Sequence, residues 1–125
     1  MSLKGKKAVT FVLTPDRPRA QAYYSEVLGL PLLREDPFAA VFDLGGGTVL
    51  RLTAIKAHTP SPHTVLGWEV PDIRAAMADL ASRGVVFIEY PGMTDKNGLW
   101  TSPDGKAKVC WFNDPDGNNL SLTES

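Results

Sequence analysis

The order of predicted elements repeats once along the chain, and this repeat restricts the possible folds more than any other feature. Each half opens with a strand-like run, continues into a short amphipathic helix and then carries three further strand candidates. The residues that begin the two helices, Asp16 and Asp72, lie 56 residues apart, and the closing Gly29 and Gly84 lie 55 apart. Towards the ends of the halves the offset grows to 70 residues, from Gly47 to Gly117. A repeated supersecondary unit predicts a pseudo-symmetric pair of modules.

The strand candidates divide equally between the two modules. In the first module they are residues 7–13, 31–34, 39–44 and 49–55, and in the second 64–70, 85–90, 107–113 and 120–123. A proline-rich connector at 58–63 separates a first module of about residues 5–57 from a second of about 63–125. The order strand, helix, three strands, taken twice, predicts a single α+β domain of two βαβββ modules.

Composition narrows the class of protein. Thirteen Lys and Arg residues against fourteen Asp and Glu leave a net charge of −1, which argues against a nucleic-acid binder. No apolar run approaches 18 residues, so no membrane span is expected. The short basic segment 1–7 leads into a strand-like run rather than a signal peptide. A single cysteine, Cys110, excludes an intrachain disulfide, so we expect a cytoplasmic protein.

Two motifs resemble a known family. The helix Tyr23-Tyr24-x-x-Val27-Leu28-Gly29-Leu30 that follows Asp16, together with the later Asp114-Pro115-Asp116-Gly117-Asn118, is similar to the vicinal oxygen chelate superfamily. That superfamily includes glyoxalase I, extradiol dioxygenases, and fosfomycin and bleomycin resistance proteins. The resemblance implies a curved, cupped sheet of eight strands with the helices outside and the site in the cup. It also implies a homodimer.

The positions that resemble the family's metal ligands carry the wrong residues here. They are Val9, Arg51, Val65 and Ser121. Valine has no donor atom, arginine is a cation without a lone pair to give, and a lone serine hydroxyl is a poor ligand. The chain therefore resembles the metal-free, bleomycin-resistance-like branch, and we expect no metal and no other cofactor.

The two histidines offer little to rebuild a metal site. His63 and Glu69 are six residues apart along an extended strand, which places them roughly 20 Å from each other. His58 and His63 lie in the proline-rich connector, where they are either ligands at a surface bend or solvated linker residues.

Alternation along the strands predicts which side chains line the cup. The inward set is Val9, Phe11, Leu13, Val49, Arg51, Thr53, Val65, Gly67, Glu69, Asn119, Ser121 and Thr123. A buried arginine needs a partner, and for Arg51 this is a ligand carboxylate or phosphate, Glu69, or a dimer contact. Glu69 is that partner, a rim residue, or a general base if desolvation raises its pKa. Ser121 and Thr53 are either ligand contacts or plain strand residues, and Cys110 is expected to be a buried, inert thiol.

The tryptophans add flat apolar surface. Trp68 alternates to the helix side, whereas Trp100 falls in a turn-rich loop, where it either stacks on a flat ligand or packs at a dimer interface. Trp111 and Phe42 lie in runs that are apolar on both sides, so alternation assigns neither to a face.

These residues predict metal-independent binding or sequestration of a small, aromatic or amphipathic organic molecule. The predicted ligand contacts are Val9, Phe11, Arg51, Val65, Glu69, Trp100, Trp111 and Ser121. The alternatives are a metal-dependent glyoxalase-like lyase, isomerase or dioxygenase, and a metal-free enzyme with Glu69 as its base. The expected partners are the small-molecule ligand and a second copy of the chain, with no nucleic acid and no membrane.

Overall fold

A computed structural model describes residues 2–125 and divides the chain into two compact units. The first unit ends at Thr59 and the second runs from Pro60 to Ser125, so the division falls within the proline-rich connector. Each unit contains one helical segment and a four-stranded sheet, which confirms the α+β class and the repeated βαβββ order. No helix within residues 2–125 is long and apolar enough to cross a membrane.

The first unit forms a mixed sheet. Its strands are β1 Val9–Thr14, β2 Leu32–Glu35, β3 Ala39–Gly45 and β4 Thr48–Ala54, in the order β1-β4-β3-β2. β1 is parallel to β4, and the other pairs are antiparallel. Helix α1 (Arg17–Ala22) continues into a π-helical turn (Tyr23–Val27).

Capping and burial explain the helical segment of the first unit. The Asp16 carboxylate accepts a hydrogen bond from the Arg19 N–H at 3.2 Å, which satisfies one of the free donors of the first turn. Gly29 beyond the segment has a φ of +71°, a conformation that favours glycine. Tyr24 is fully buried with its ring centroid 6.2 Å from that of Phe42, so the structure assigns Phe42 to the helix side of the sheet.

The second unit repeats this topology. Its strands are β5 Thr64–Glu69, β6 Leu99–Thr101, β7 Lys108–Asn113 and β8 Asn119–Glu124, in the order β5-β8-β7-β6 with β5 parallel to β8. Helix α2 (Ile73–Ser82) is capped by Asp72, whose carboxylate accepts from the Ala75 N–H at 3.1 Å. Ile73 and Met77 are its buried residues, as the helical periodicity predicts.

The edge strand of the second sheet differs from the prediction. Residues 85–90 were expected to form a strand, but they contribute only an isolated bridge from Phe87 to Phe112. After this bridge, regular pairing with β7 begins again only at β6. A loop of about ten residues therefore interrupts the edge strand beside β7. The Asp95 carboxylate holds this loop by accepting from the N–H groups of Asn97 at 2.8 Å and Leu99 at 3.0 Å. The insertion also helps to explain why the repeat offset grows along the chain.

Candidate functional site

The first sheet has one face against the helical segment and one facing away from it. Register places Phe11 opposite Arg51 and Arg51 opposite Val41, so these three side chains share a face. We call this the first distal face; it carries Val9, Phe11, Leu13, Arg51 and Thr53. The alternate residues Val12, Leu50 and Leu52 are almost completely buried and form the helix side.

The first distal face exposes apolar surface beside a cation. Phe11 is 60% exposed and Val9 is 43% exposed, although both lie in a regular strand. Arg51 lies on the neighbouring strand, with its side chain 28% exposed. An exposed ring next to a partly covered guanidinium is suited to a molecule with a flat apolar part and an anionic or polar group.

Arg51 has an ion-pair partner that sequence reasoning missed. Its Nη2 lies 3.5 Å from Oδ2 of Asp36, which follows β2. This partner belongs to the first unit itself. The distance is longer than the 2.7–2.9 Å typical of a charge-assisted hydrogen bond, so the pair is loose.

The turn at 36–39 fixes the Asp36 carboxylate. Its Oδ1 accepts from the N–H groups of Phe38 at 2.8 Å and Ala39 at 2.9 Å. These two donors lower the pKa of Asp36, and the charges of Arg51 and Arg17 lower this pKa further. Arg17 also donates from Nη1 to the Asp36 carbonyl at 2.7 Å and from Nη2 to the Ala39 carbonyl at 2.9 Å. A cation from α1 thus anchors the turn that presents Asp36 to Arg51.

The second sheet has a corresponding face. Register aligns Gly67, Ser121 and Trp111 in one row across the sheet, and Glu69, Thr123, Val109 and Trp100 in the next. We call the face that carries these two rows the second distal face. It therefore includes both tryptophans that were predicted to contact a ligand.

The tryptophans of the second distal face are both half-buried. Trp111 makes an edge-to-face contact with Tyr90, with ring centroids 5.5 Å apart and planes at 88°. Trp100 belongs to β6 and not to a loop as predicted, because the pairing along β7 resumes just before it. Its opposite neighbour is Val109.

Ser121 lies against the backbone of β5. A Cβ added at Gly67 would collide with the Ser121 Oγ, and it would approach the Ser121 carbonyl oxygen to 3.3 Å. Ser121 is buried, at 8% exposure. A glycine at position 67 thus makes room for the hydroxyl.

The remaining predicted contacts lie on β5. Val65 is 36% exposed at a register shift between β5 and β8. Glu69 is exposed at the end of β5, opposite Thr123.

Metal-ligating side chains do not cluster. Among residues 2–125 there is no group of three or more His, Cys, Asp or Glu side chains that could hold an ion. The positions that resemble the family's ligands carry Val9, Arg51, Val65 and Ser121. A divalent cation needs imidazole, thiolate or carboxylate donors, so these residues do not fit a metal. Cys110 is buried, and burial raises the pKa of its thiol to about 11, which disfavours a thiolate nucleophile near neutral pH.

Three residues that contact or support these faces escaped the sequence analysis: Asp36, Arg17 and Tyr90. The dipeptide Asp36-Pro37 is a turn signal, but the contact with Arg51 becomes visible only when the register of three strands is known. Arg17 reaches carbonyls about twenty residues away, and no local pattern marks such a contact.

Known proteins resemble this chain in family and in fold. The family model described as the Glyoxalase/Bleomycin resistance protein/Dioxygenase superfamily matches residues 8–122. No protein with a curated description matches. A member of that superfamily from Sphaerobacter thermophilus is 24% identical, with a TM-score of 0.75 over 97% of this chain and 98% of the other. A glyoxalase/bleomycin resistance protein from Catenulispora acidiphila is 23% identical, with a TM-score of 0.72 over 95% and 97%. Lactoylglutathione lyase from Agrobacterium tumefaciens is 16% identical, with a TM-score of 0.71 over 94% and 92%. At these identities the structures establish the fold.

Proposed function

Because this chain belongs to the Glyoxalase/Bleomycin resistance protein/Dioxygenase superfamily, and its residues at the family's ligand positions do not suit a metal, we propose that it binds a small organic molecule without a metal ion. The molecule is aromatic or amphipathic and carries an anionic or strongly polar group. Binding or sequestration, rather than chemical conversion, is the role that this residue set supports.

One observation carries the proposal: an exposed phenyl ring and a partly exposed guanidinium are neighbours on the first distal face. The Arg51 Nη2 lies 3.5 Å from the Asp36 Oδ2, and that pair is loose. Arginine carries five N–H donors, so several remain for a carboxylate or a carbonyl oxygen. Phe11 supplies flat apolar area at the same level of the sheet.

The second distal face supports the same chemistry on its own. Trp111 and Trp100 present indole surface, and Ser121 and Glu69 place polar groups on the same side. An apolar lining with a few polar groups is typical of small-molecule sites. We propose that these side chains and Val65 contact an aromatic ligand.

A homodimer is a further proposal, supported by exposed apolar residues at the edge of the first sheet. Leu33 on β2 is 50% exposed, and Phe38 in the following turn is 71% exposed. Size-exclusion chromatography with light scattering tests this, with a mass of twice 13.6 kDa expected. A mass of 13.6 kDa at all concentrations would contradict the dimer.

The experiment is a thermal-shift and NMR screen of small aromatic acids, each paired with its neutral amide, in buffer with EDTA. We take 2-naphthoate and 2-naphthamide as the reference pair. Binding of 2-naphthoate at the first distal face should shift the Arg51 Nε–Hε signal, and binding at the second distal face should shift the indole signal of Trp100 or Trp111. Arg51→Gln should weaken it by about 10-fold, in line with roughly 1–3 kcal/mol for a charge-assisted contact. Phe11→Ala should also weaken it by about 10-fold, because an aromatic contact is worth roughly 0.5–1.5 kcal/mol beyond the area that it buries.

Arg74→Gln is the matched control. Arg74 is also an arginine with a loose ion pair, 3.9 Å from Asp95, but it lies on α2 of the second unit. It should leave the affinity unchanged. Equal losses of affinity in Arg51→Gln and Arg74→Gln would show that Arg51 acts only through the net charge of the protein. Absence of binding across the whole screen would refute the proposed function.

A further inference from the structure

We propose that Asp36 tunes the charge selectivity of the Arg51 site, because it weakens the binding of dianions such as phosphate monoesters more than that of singly charged groups such as carboxylates. This inference rests on the proposed function, because it concerns the ligand that Arg51 binds. It assigns Asp36 a specificity-determining role.

The Asp36 carboxylate cannot turn away from an incoming anion without loss. Oδ1 is held by the N–H groups of Phe38 and Ala39, at 2.8 and 2.9 Å, while Oδ2 faces Arg51 at 3.5 Å. Rotation of the carboxylate away from the turn would break both hydrogen bonds to the backbone. The negative charge therefore has a fixed place beside the guanidinium.

The turn beneath the carboxylate is fixed as well. Arg17 ties the carbonyls of Asp36 and Ala39 together, and the Asp36 N–H donates to the Ala39 carbonyl at 2.9 Å. The Arg17 side chain is only 19% exposed, so its bonds are partly shielded from water. The backbone of the turn is thus held from two sides, and Asp36 is expected to stay in place when a ligand reaches Arg51.

A ligand anion on the free side of the guanidinium would lie within about 6 Å of the Asp36 carboxylate. At that distance, with the high dielectric of a half-exposed site, repulsion weakens binding roughly threefold for each negative charge on the ligand. A carboxylate loses about threefold and a phosphate dianion about tenfold. Arg34 lies on the same face, opposite Val41, and its charge also attracts an anionic ligand. This attraction is the same in the wild type and in an Asp36 variant, so the difference between their affinities reports on Asp36 alone.

The test uses the variant Asp36→Asn and three probes with the same ring: 2-naphthamide, 2-naphthoate and 2-naphthyl phosphate. The asparagine oxygen can accept from the same two backbone N–H groups, so the turn is retained while the charge is removed. Dissociation constants measured by NMR at low salt should be unchanged for the amide. In Asp36→Asn the dissociation constant should be about threefold lower than in the wild type for the carboxylate and about tenfold lower for the phosphate.

Asp104→Asn is the matched control, since Asp104 also accepts from a backbone N–H, that of Lys106 at 3.0 Å, and lies in a turn of the second unit. It should leave all three constants unchanged. If Asp36→Asn fails to fold, Asp36→Ser keeps an acceptor oxygen for the turn and gives the same comparison.

The outcomes separate the two proposals. If the wild type binds 2-naphthoate but Asp36→Asn changes all three constants by one common factor, or weakens the phosphate most, the role of Asp36 is refuted and the proposed function stands. If neither the wild type nor the variant binds any of the three probes, the proposed function and this inference fail together.

Discussion

The contact between β5 and β8 at Gly67 gives a prediction whose magnitude follows from the structure. Gly67→Ala places a methyl group where it collides with the Ser121 Oγ. Inserting a methylene into a packed site costs about 1–3 kcal/mol. Replacement of glycine lowers the entropy of the unfolded chain and returns about 0.4–1 kcal/mol. We therefore expect a net loss of about 1–2 kcal/mol in the free energy of unfolding.

Removal of the hydroxyl should relieve most of this loss. The Cβ of residue 121 is 3.7 Å from the added methyl, an ordinary contact, so in a Ser121→Ala background Gly67→Ala should be nearly neutral. Urea denaturation of the wild type, both single variants and the double variant gives the coupling energy, expected at about 1–2 kcal/mol. If Gly67→Ala costs the same in both backgrounds, the hydroxyl does not lie over Gly67.

Three further predictions concern the anchor of the turn, the thiol and the behaviour in acid. Arg17→Ala should lower the free energy of unfolding by about 2–3 kcal/mol in denaturant titrations, because two charged hydrogen bonds to backbone carbonyls are lost; a change below about 0.5 kcal/mol would contradict this. Cys110, with a pKa of about 11, should react with a thiol reagent at pH 8 only after unfolding, and fast labelling of the native protein would show that it is accessible. The carboxyls of Asp36, Asp95 and Asp104 have pKa values below the ordinary 3.8, through backbone N–H donors at the first two and the Ser102 hydroxyl at the third. The ionised carboxyls stabilise the fold above pH 3.8, and this stabilisation is lost as pH falls through their lowered pKa values. The free energy of unfolding, measured from pH 7 to 2, should therefore decline mainly below about pH 4. The decline should be less steep in Asp95→Asn.

The sequence predicted the fold where local signals agreed with one another. Asp16 and Asp72 cap their helices, as expected from their carboxylates, and Gly29 and Gly84 follow with positive φ, as expected from residues that lack a Cβ. The repeat then specified the topology, because a second copy of the same elements requires the same sheet order.

The predicted secondary structure was wrong at residues 85–90 and at Trp100, where contacts between distant segments determine which residues pair as strands. Residues 85–90 have the β-branched and aromatic composition of a strand, but strand propensity does not reveal how far a segment stays paired with its neighbour. Here the pairing lasts for a single bridge at Phe87 before the loop held by Asp95 begins. Trp100 was assigned to a loop for the same reason.

The sites were predictable only in part. Alternation indicates which residues share a face with Arg51, because the side-chain period of a strand is fixed. The ion pair with Asp36 depends on how β2, β3 and β4 align, which no single segment encodes. Phe42 and Trp111 lie in strands that are apolar on both sides. The structure assigns Phe42 by its packing against Tyr24 and Trp111 by its register with Ser121.

The most direct test of the central claim is a calorimetric titration of 2-naphthoate into chelator-treated protein, repeated after addition of zinc, nickel, manganese or iron(II). Recognition through Arg51 predicts the same dissociation constant with and without each metal, and about 10-fold weaker binding in Arg51→Gln under all conditions. Binding that appears only when a divalent metal is restored, and that Arg51→Gln leaves unchanged, would contradict the claim that this protein recognises its ligand without a metal ion.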